Sequence, residues 1–214
     1  MTDVWSERAD AFRESKAHRE GPDLDLLVEW AEPGEGVTAL DVATGGGHVA
    51  RRLRDAGCEV VSIDPAPGMQ PTVVSRAEEI PFADESFDVV TCRIAAHHFE
   101  DVRAAVREMA RVSRDRVVVE DNLFGGDHVE QAEKLRDPTH VRCYTEDEWR
   151  DFFADAGLDV EAVERVERRQ DFEAWVTRVE TPEDDIARVR ELLADDVEDG
   201  NVTMRSVVLK GRKK

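Results

Sequence analysis

The chain is short of lysine, tyrosine, cysteine and long apolar runs, and each shortage narrows what it can be. Five lysines stand among 214 residues, so arginine supplies 24 of the 29 basic side chains. Against 49 Asp and Glu the formal charge is −20. Such a charge repels nucleic acid phosphates and anionic membranes over a Debye length of roughly 10 Å at 0.1 M salt. Nucleic acid is therefore not the expected partner. The acids are spread over nearly every segment and form no single tail. That pattern points to a halophilic surface, with an ordinary acidic enzyme as the alternative. No apolar run approaches the ~18 residues that span a bilayer. The start, Met1 to Trp5, lacks the basic-then-apolar order of a signal peptide. A cytoplasmic chain without membrane insertion is expected. Cys58, Cys92 and Cys143 are odd in number and none sits at CxxC spacing. Neither a zinc site nor a disulfide framework is indicated, so reduced thiols and no metal are expected.

Repeats and low-complexity linkers are also missing, and no domain boundary shows. With 41% hydrophobic residues a packed core is affordable, and one domain over 1–214 is expected. Residues 4–18 and 23–32 read as helices. Short apolar strands follow at 37–42, 59–64, 72–75, 87–92 and 116–120, with helices over 48–56 and 102–112. Strands alternating with helices imply right-handed crossovers and a parallel sheet covered on both faces. After residue 121 the pattern changes. A helix is expected near 129–136. Thr145 and Glu148 form a capping box for a helix that Gly157 stops. A strand is expected over 160–166. Thr181 reads as the cap of another helix, with Pro182 in its first turn, and 201–209 as a closing strand.

The strongest local feature is Asp41-Val42-Ala43-Thr44-Gly45-Gly46-Gly47. An acid ends a strand, and a glycine turn leads into a helix. Glycines let the backbone turn tightly and approach a ligand with no Cβ in the way. Gly45-x-Gly47-x-x-Ala50 also satisfies the looser dinucleotide fingerprint. Charge favours S-adenosylmethionine (SAM) over NAD: a pyrophosphate would be repelled by Asp41, whereas an α-ammonium can be held by it directly or through water. Asp64 ends the next strand and suits ribose hydroxyls, a device that both nucleosides share.

With these residues in place, the chain resembles the class I SAM-dependent methyltransferases, small-molecule branch, including the ubiquinone/menaquinone C-methyltransferases. The segments that carry the resemblance are 39–50, 60–65, the run Ala77 to Asp88 (AEEIPFADESFD), 92–99 and 107–122. The resemblance implies an α/β, Rossmann-like doubly wound sheet of seven strands in the order 3-2-1-4-5-7-6, strand 7 antiparallel. It implies SAM as cofactor, held by Asp41, Ala43, Thr44, Gly45, Gly47, Asp64 and Pro65. Ala77 and Glu78 would border the adenine, and Cys92 and Arg93 the methionine moiety. Two departures stand out. Only Pro65 to Pro71 remains where a helix usually follows strand 2, so that helix is shortened or absent. Arg76 stands where an acid often precedes the Ala-Glu pair, and pairing with a local carboxylate is expected.

The implied activity is methyl transfer to the carbon or oxygen of a small molecule such as a quinol or phenol. An NAD(P)-binding oxidoreductase and a SAM-binding protein without catalysis are the alternatives. The enzyme's task is to position and desolvate the acceptor. His98 and His97 follow strand 4, so they are candidate catalytic or substrate-contacting groups; packing and capping before Asp101 is the other reading. His140, Arg142 and Tyr144 are candidate substrate contacts. Arg142 would hold an anionic group or else pair with a nearby acid. A lid is expected from 1–32 and 122–145, with 170–195 as a further part, around a 33–121 cofactor core. Trp5, Phe12, Phe124, Tyr144, Trp149, Phe172 and Trp175 are candidate pocket walls. A monomer or homodimer is expected.

Overall fold

The structure is a computed structural model that describes residues 4–213, Ala17 by its backbone alone. The first three residues of the 1–32 segment lie outside the described residues. In chain order the elements are α1 (Val4–Glu7), α2 (Ala9–Glu14), α3 (Lys16–Arg19), α4 (Pro22–Trp30), β1 (Thr38–Val42), α5 (His48–Asp55), β2 (Glu59–Asp64), β3 (Val73–Val74) and β4 (Phe87–Arg93). They continue with α6 (Val102–Val112), β5 (Ser113–Asn122), α7 (Asp127–Arg136), α8 (Glu146–Asp155), β6 (Leu158–Asp171), α9 (Phe172–Thr177), α10 (Glu183–Leu192), β7 (Val197–Glu198) and β8 (Asn201–Lys213).

The sheet order is β3-β2-β1-β4-β5-β8-β6. The first five strands are parallel, and β8 runs antiparallel to both β5 and β6. This is the expected 3-2-1-4-5-7-6 order, with an eighth strand, β7, hairpinned onto β8. Val117, Val118 and Val119 are all fully buried, as a strand covered on both faces requires. Their side chains alternate. Val117 and Val119 join Met109, Trp149 and Phe153 from α6 and α8, while Val118 joins Leu24, Leu27 and Leu53 from α4 and α5. Each fully buried apolar side chain contributes about 1.5–3 kcal/mol relative to exposure.

Local signals behave as their chemistry dictates, with two exceptions. The capping box forms: Thr145 Oγ1 accepts from Glu148 N at 3.2 Å, and Glu148 Oε2 accepts from Thr145 N at 2.9 Å. Thr181, by contrast, caps nothing. Its hydroxyl is buried and faces the carbonyls of Val176 (2.6 Å) and Arg136 (3.0 Å), so Pro182 takes the N-cap position with no side-chain bond. The expected helix 4–18 is broken into three pieces at Arg8 and Ser15. The span from Asp64 to β3 holds only a one-turn 3-10 helix, Pro67–Met69, so no full helix follows β2. That stretch is covered from elsewhere: Ala66 and Met69 pack with Ala9, Trp5 and Phe12 of the N-terminal segment.

Candidate active site

The carboxyl ends of β1, β2 and β4 open into a cavity of about 510 Å³, within the ~300–1,000 Å³ range of small-molecule sites. The loop after β1 forms its floor. Ala43 and Gly45 adopt left-handed φ values of 52° and 50°, and Gly47 caps α5 at φ 73°. Above Gly45 the space is open, so an approaching ligand meets backbone there; Gly47 has open space too but is not among the cavity walls. Gly46 serves differently. A Cβ on it would lie 2.9 Å from the Phe12 carbonyl, so glycine lets the N-terminal segment close onto the loop. His48 makes the same link, Nε2 donating to Phe12 O at 3.0 Å while Nδ1 accepts from Arg51 at 2.6 Å.

Asp41 lines the cavity at 2% exposure. Oδ2 accepts from Thr44 Oγ1 (2.5 Å) and Ala50 N (3.2 Å), and Oδ1 from Thr91 Oγ1 (3.1 Å). A carboxylate offers about four acceptor sites, so these donors leave about one for an incoming ammonium or water. Burial pushes its pKa up to about 6, against the pull of those hydrogen bonds. Asp64 is fixed in plane by Gly45 N on Oδ2 and Ala66 N on Oδ1, both at 2.9 Å. Thr44, Pro65, Ala77 and Glu78 also line the cavity. Glu78 Oε1 accepts from Glu100 N at 2.9 Å, and Arg76 pairs with Glu78 and Glu100 at 3.4 and 3.1 Å, the expected local carboxylates.

Cys92 is not among the cavity walls: its side chain packs in the core, and burial raises its thiol pKa. Arg93 reaches the cavity, but its guanidinium is committed to Asp23 of α4, with Nε at 2.9 Å, and to His18 O at 2.8 Å. It therefore ties the N-terminal segment to the sheet. Ile94, missed by the sequence reading, lines the cavity at φ 48°. A β-branched residue there is strained by about 1–3 kcal/mol, and nothing in the sequence signals it.

His18 and His48 line the cavity, and of the two candidate histidines His98 faces it. Its Nδ1 donates to Thr139 O at 3.1 Å, which leaves Nε2 as an acceptor. Trp5 packs edge-on at 4.7 Å between ring centroids. His97 is held from behind by Asp121, with Nδ1 to Oδ1 at 2.5 Å and backbone N to Oδ2 at 2.7 Å. Burial lowers both histidines to about 3, so both are neutral at pH 7.

Arg142 and Tyr144 stand apart from this group, whereas the buried His140 ring lies behind it, 5.5 Å from that of His97 and 6.3 Å from that of His98 between centroids. The 137–145 loop hangs from His97 O through Val141 N (2.9 Å), and Thr139 and Val141 face the cavity. His140 turns to Glu130 (3.3 Å), Arg142 pairs with Glu148 (2.9 Å), and Tyr144 packs on Phe152 and Trp149. Ligand atoms of Glu130, His140 and Cys143 lie within 4.8 Å of one another, so metal-type donors cluster although no sequence spacing showed it. Trp5 and Phe12 line the larger cavity and Trp175 a smaller one beside it; Trp149 and Phe172 are core, and Phe124 is on the surface.

Residues 40–119 match the model of a methyltransferase domain. Over 203 residues the chain is 33% identical to the uncharacterised methyltransferase YcgJ of Bacillus subtilis (strain 168), covering 84% of this chain and 80% of that one. The YcgJ crystal structure has a TM-score of 0.82 at 27% identity, over 90% of this chain and 98% of the other. The BH2331 protein of Bacillus halodurans C-125 gives 0.79 at 30% identity, over 90% and 99%. A demethylmenaquinone methyltransferase of Mycolicibacterium paratuberculosis is 37% identical over 89 residues, 38% of this chain and 39% of its own. An open glycine cradle flanked by two buried carboxylates suits the ammonium and ribose of SAM. On this family evidence, and with that fit, the chain belongs to the class I SAM-dependent methyltransferases.

Proposed function

We propose that the protein methylates a small organic acceptor, a quinol or phenol-like compound, at carbon or oxygen. The observation that carries this reading is the roof of the cavity. Trp5 and Phe12 wall it, with Trp5 packed against His98, so an acceptor must fit beneath the N-terminal segment. The formal charge of −20 argues equally against a polynucleotide acceptor. SAM, when bound, supplies an activated methyl group. The chain's own residues do the rest. Asp41 offers its remaining acceptor site to an ammonium, and Asp64 holds ribose hydroxyls. His98 Nε2 accepts a hydrogen bond from an acceptor hydroxyl and orients it. With its pKa lowered to about 3 by burial, His98 aligns this proton better than it strips it. Trp5 and Phe12 exclude water. Three buried, unpaired cysteines suit a reducing cytoplasmic setting.

Calorimetry in molar salt tests the cofactor side: SAM and S-adenosylhomocysteine bind, and Asp64→Ala weakens both. Turnover on a quinol and phenol panel tests the acceptor. Cofactor binding with no turnover on any acceptor favours a non-catalytic SAM-binding protein. Binding of NADH in place of SAM overturns the reading.

A further inference from the structure

Beside the larger cavity lies a second one of about 50 Å³, and the two share Phe12, His18, Ile94 and His98 as walls. Its remaining lining is unusual for so acidic a chain. Three guanidiniums, Arg136, Arg168 and Arg178, face a single carboxylate, Asp137. Asp137 is already occupied by Thr139, with Arg8 at 3.6 Å. Arg136 is paired with Glu133 at 3.0 Å. Arg178 is different: it makes no ion pair among the described residues, and its one side-chain bond goes to the Gln170 amide oxygen at 3.2 Å. Arg168 Nε is buried without a partner, and its nearest acids, Asp23 and Glu120, stand at 3.6 and 3.7 Å, beyond hydrogen-bond reach. With 49 acids available to pair 29 bases, an arginine left without a carboxylate in a cavity wall needs a reason.

We infer that this second cavity is a carboxylate subsite: Arg178, aided by Arg168, holds the carboxylate of the methyl acceptor while its reacting end lies beside His98. The inference rests on the reading that the larger cavity seats cofactor and acceptor. A guanidinium fork matches a carboxylate in two parallel hydrogen bonds. The size agrees: at roughly 10–15 Å³ of accessible space per water, the cavity of about 50 Å³ holds about three to five waters, the scale of a carboxylate's three heavy atoms. The two spaces adjoin, because Ile94 and His98 border both. The substrate class is thus a small phenol-like acid, with its carboxylate at one end and its reacting group at the other. This anion-holding role falls to Arg178 and not to Arg142, which is exposed and bonded to Glu148.

The test uses the full chain saturated with S-adenosylhomocysteine in molar KCl, so loss of cofactor binding is seen first and separately. 4-Hydroxybenzoate, benzoate and acetate are each titrated against the matching amide, by calorimetry and by arginine side-chain NMR. The wild type is expected to favour at least one carboxylate over its amide by about tenfold. Arg178→Gln abolishes the preference and leaves cofactor affinity intact. Arg178→Lys, which keeps charge but loses the fork, retains part of it, and Arg142→Gln retains all of it. Equal or absent binding of all three carboxylates and their amides to the loaded wild type overturns the inference, as does a preference that survives Arg178→Gln.

Discussion

The charge network under the cavity permits a worked prediction. Asp23 on α4 is fully buried, and its Oδ2 takes both Nε and Nη2 of Arg93. Glu120 lies 3.5 Å from Arg93, and Arg168 stands between the two acids. Removing one partner of a buried pair costs about 3–5 kcal/mol, because the other charge stays buried. Here relief is at hand. Burial pushes Glu120 up to about 7, against Arg168 and Arg93, and Asp23 adds to the rise. Asp23→Ala removes that repulsion, so Glu120 ionises and takes over Arg93. The cost is then expected near the lower end, about 3 kcal/mol. At roughly 2–4 °C per kcal/mol for a chain of this size, Tm falls by about 6–12 °C. Urea unfolding measures it directly. Glu120→Gln alone is mild, but the double variant loses about 1–2 kcal/mol more than the sum, since no acid remains to relieve the arginines. A single variant within 1 kcal/mol of wild type, or strict additivity, refutes the reasoning.

Three further outcomes follow from charge and burial. With the Asp41 carboxyl at about 6, SAM affinity is expected to be flat above that pH and to fall up to about tenfold per unit below it; Asp41→Asn flattens the curve in calorimetry. His97 and His98 stay neutral in the fold down to about 3, while the unfolded chain protonates them below about 6.5. Their contribution to stability is therefore full above pH 6.5 and lost as pH falls, by up to about 1.4 kcal/mol per unit for each ring, against the opposite trend of the raised carboxyls Asp41, Asp121 and Glu120; a His98→Asn variant whose urea midpoint shifts between pH 6.5 and 5 by as much as the wild type's contradicts this. The charge of −20 predicts a Tm that climbs between 0.1 and 2 M KCl; a constant Tm refutes the concentrated-salt reading.

The sheet was legible in the sequence because its evidence is local. Apolar runs such as 116–120 and glycine stops such as Gly57 and Gly157 need no knowledge of distant contacts. The cofactor end was legible for the same reason: Asp41, the glycines and Asp64 act where the chain itself turns. The acceptor end was not. Thr139 sits in a turn that His140 N closes on Asp137 O at 2.9 Å, and which side chains after it face inward is set by the hold of Val141 N on His97 O. A register fixed across that distance leaves no trace in the composition of the loop, so His140 and Arg142 were expected where Thr139 and Val141 stand. Ile94 and Arg178 were missed for a related reason: backbone strain and a guanidinium with no carboxylate paired to it among the described residues are properties of surroundings.

The missing helix after β2 shows how a sequence departure becomes a working part. Its place is filled by the N-terminal segment, some sixty residues earlier in the chain. Gly68 N donates to Ser6 Oγ at 2.8 Å, and Arg13 donates to Gly68 O at 3.0 Å. A Cβ on Gly68 would stand 2.5 Å from Ser6 Cα and 2.8 Å from Ser6 O, which are backbone and cannot rotate away. Gly68→Ala must therefore lift α1 from the 67–69 turn while leaving the 43–47 loop untouched. Overpacking of this kind costs about 1–3 kcal/mol. Because Trp5 and Phe12 of the same segment wall the larger cavity, the penalty falls on closure over the ligand. S-adenosylhomocysteine affinity is expected to drop by about 5- to 150-fold, mainly through faster release. Gly34→Ala, whose new Cβ meets only Val37 at 3.9 Å, leaves it unchanged. If Gly68→Ala binds within twofold of wild type and melts with it, the N-terminal segment is a passive cover and not part of the binding site.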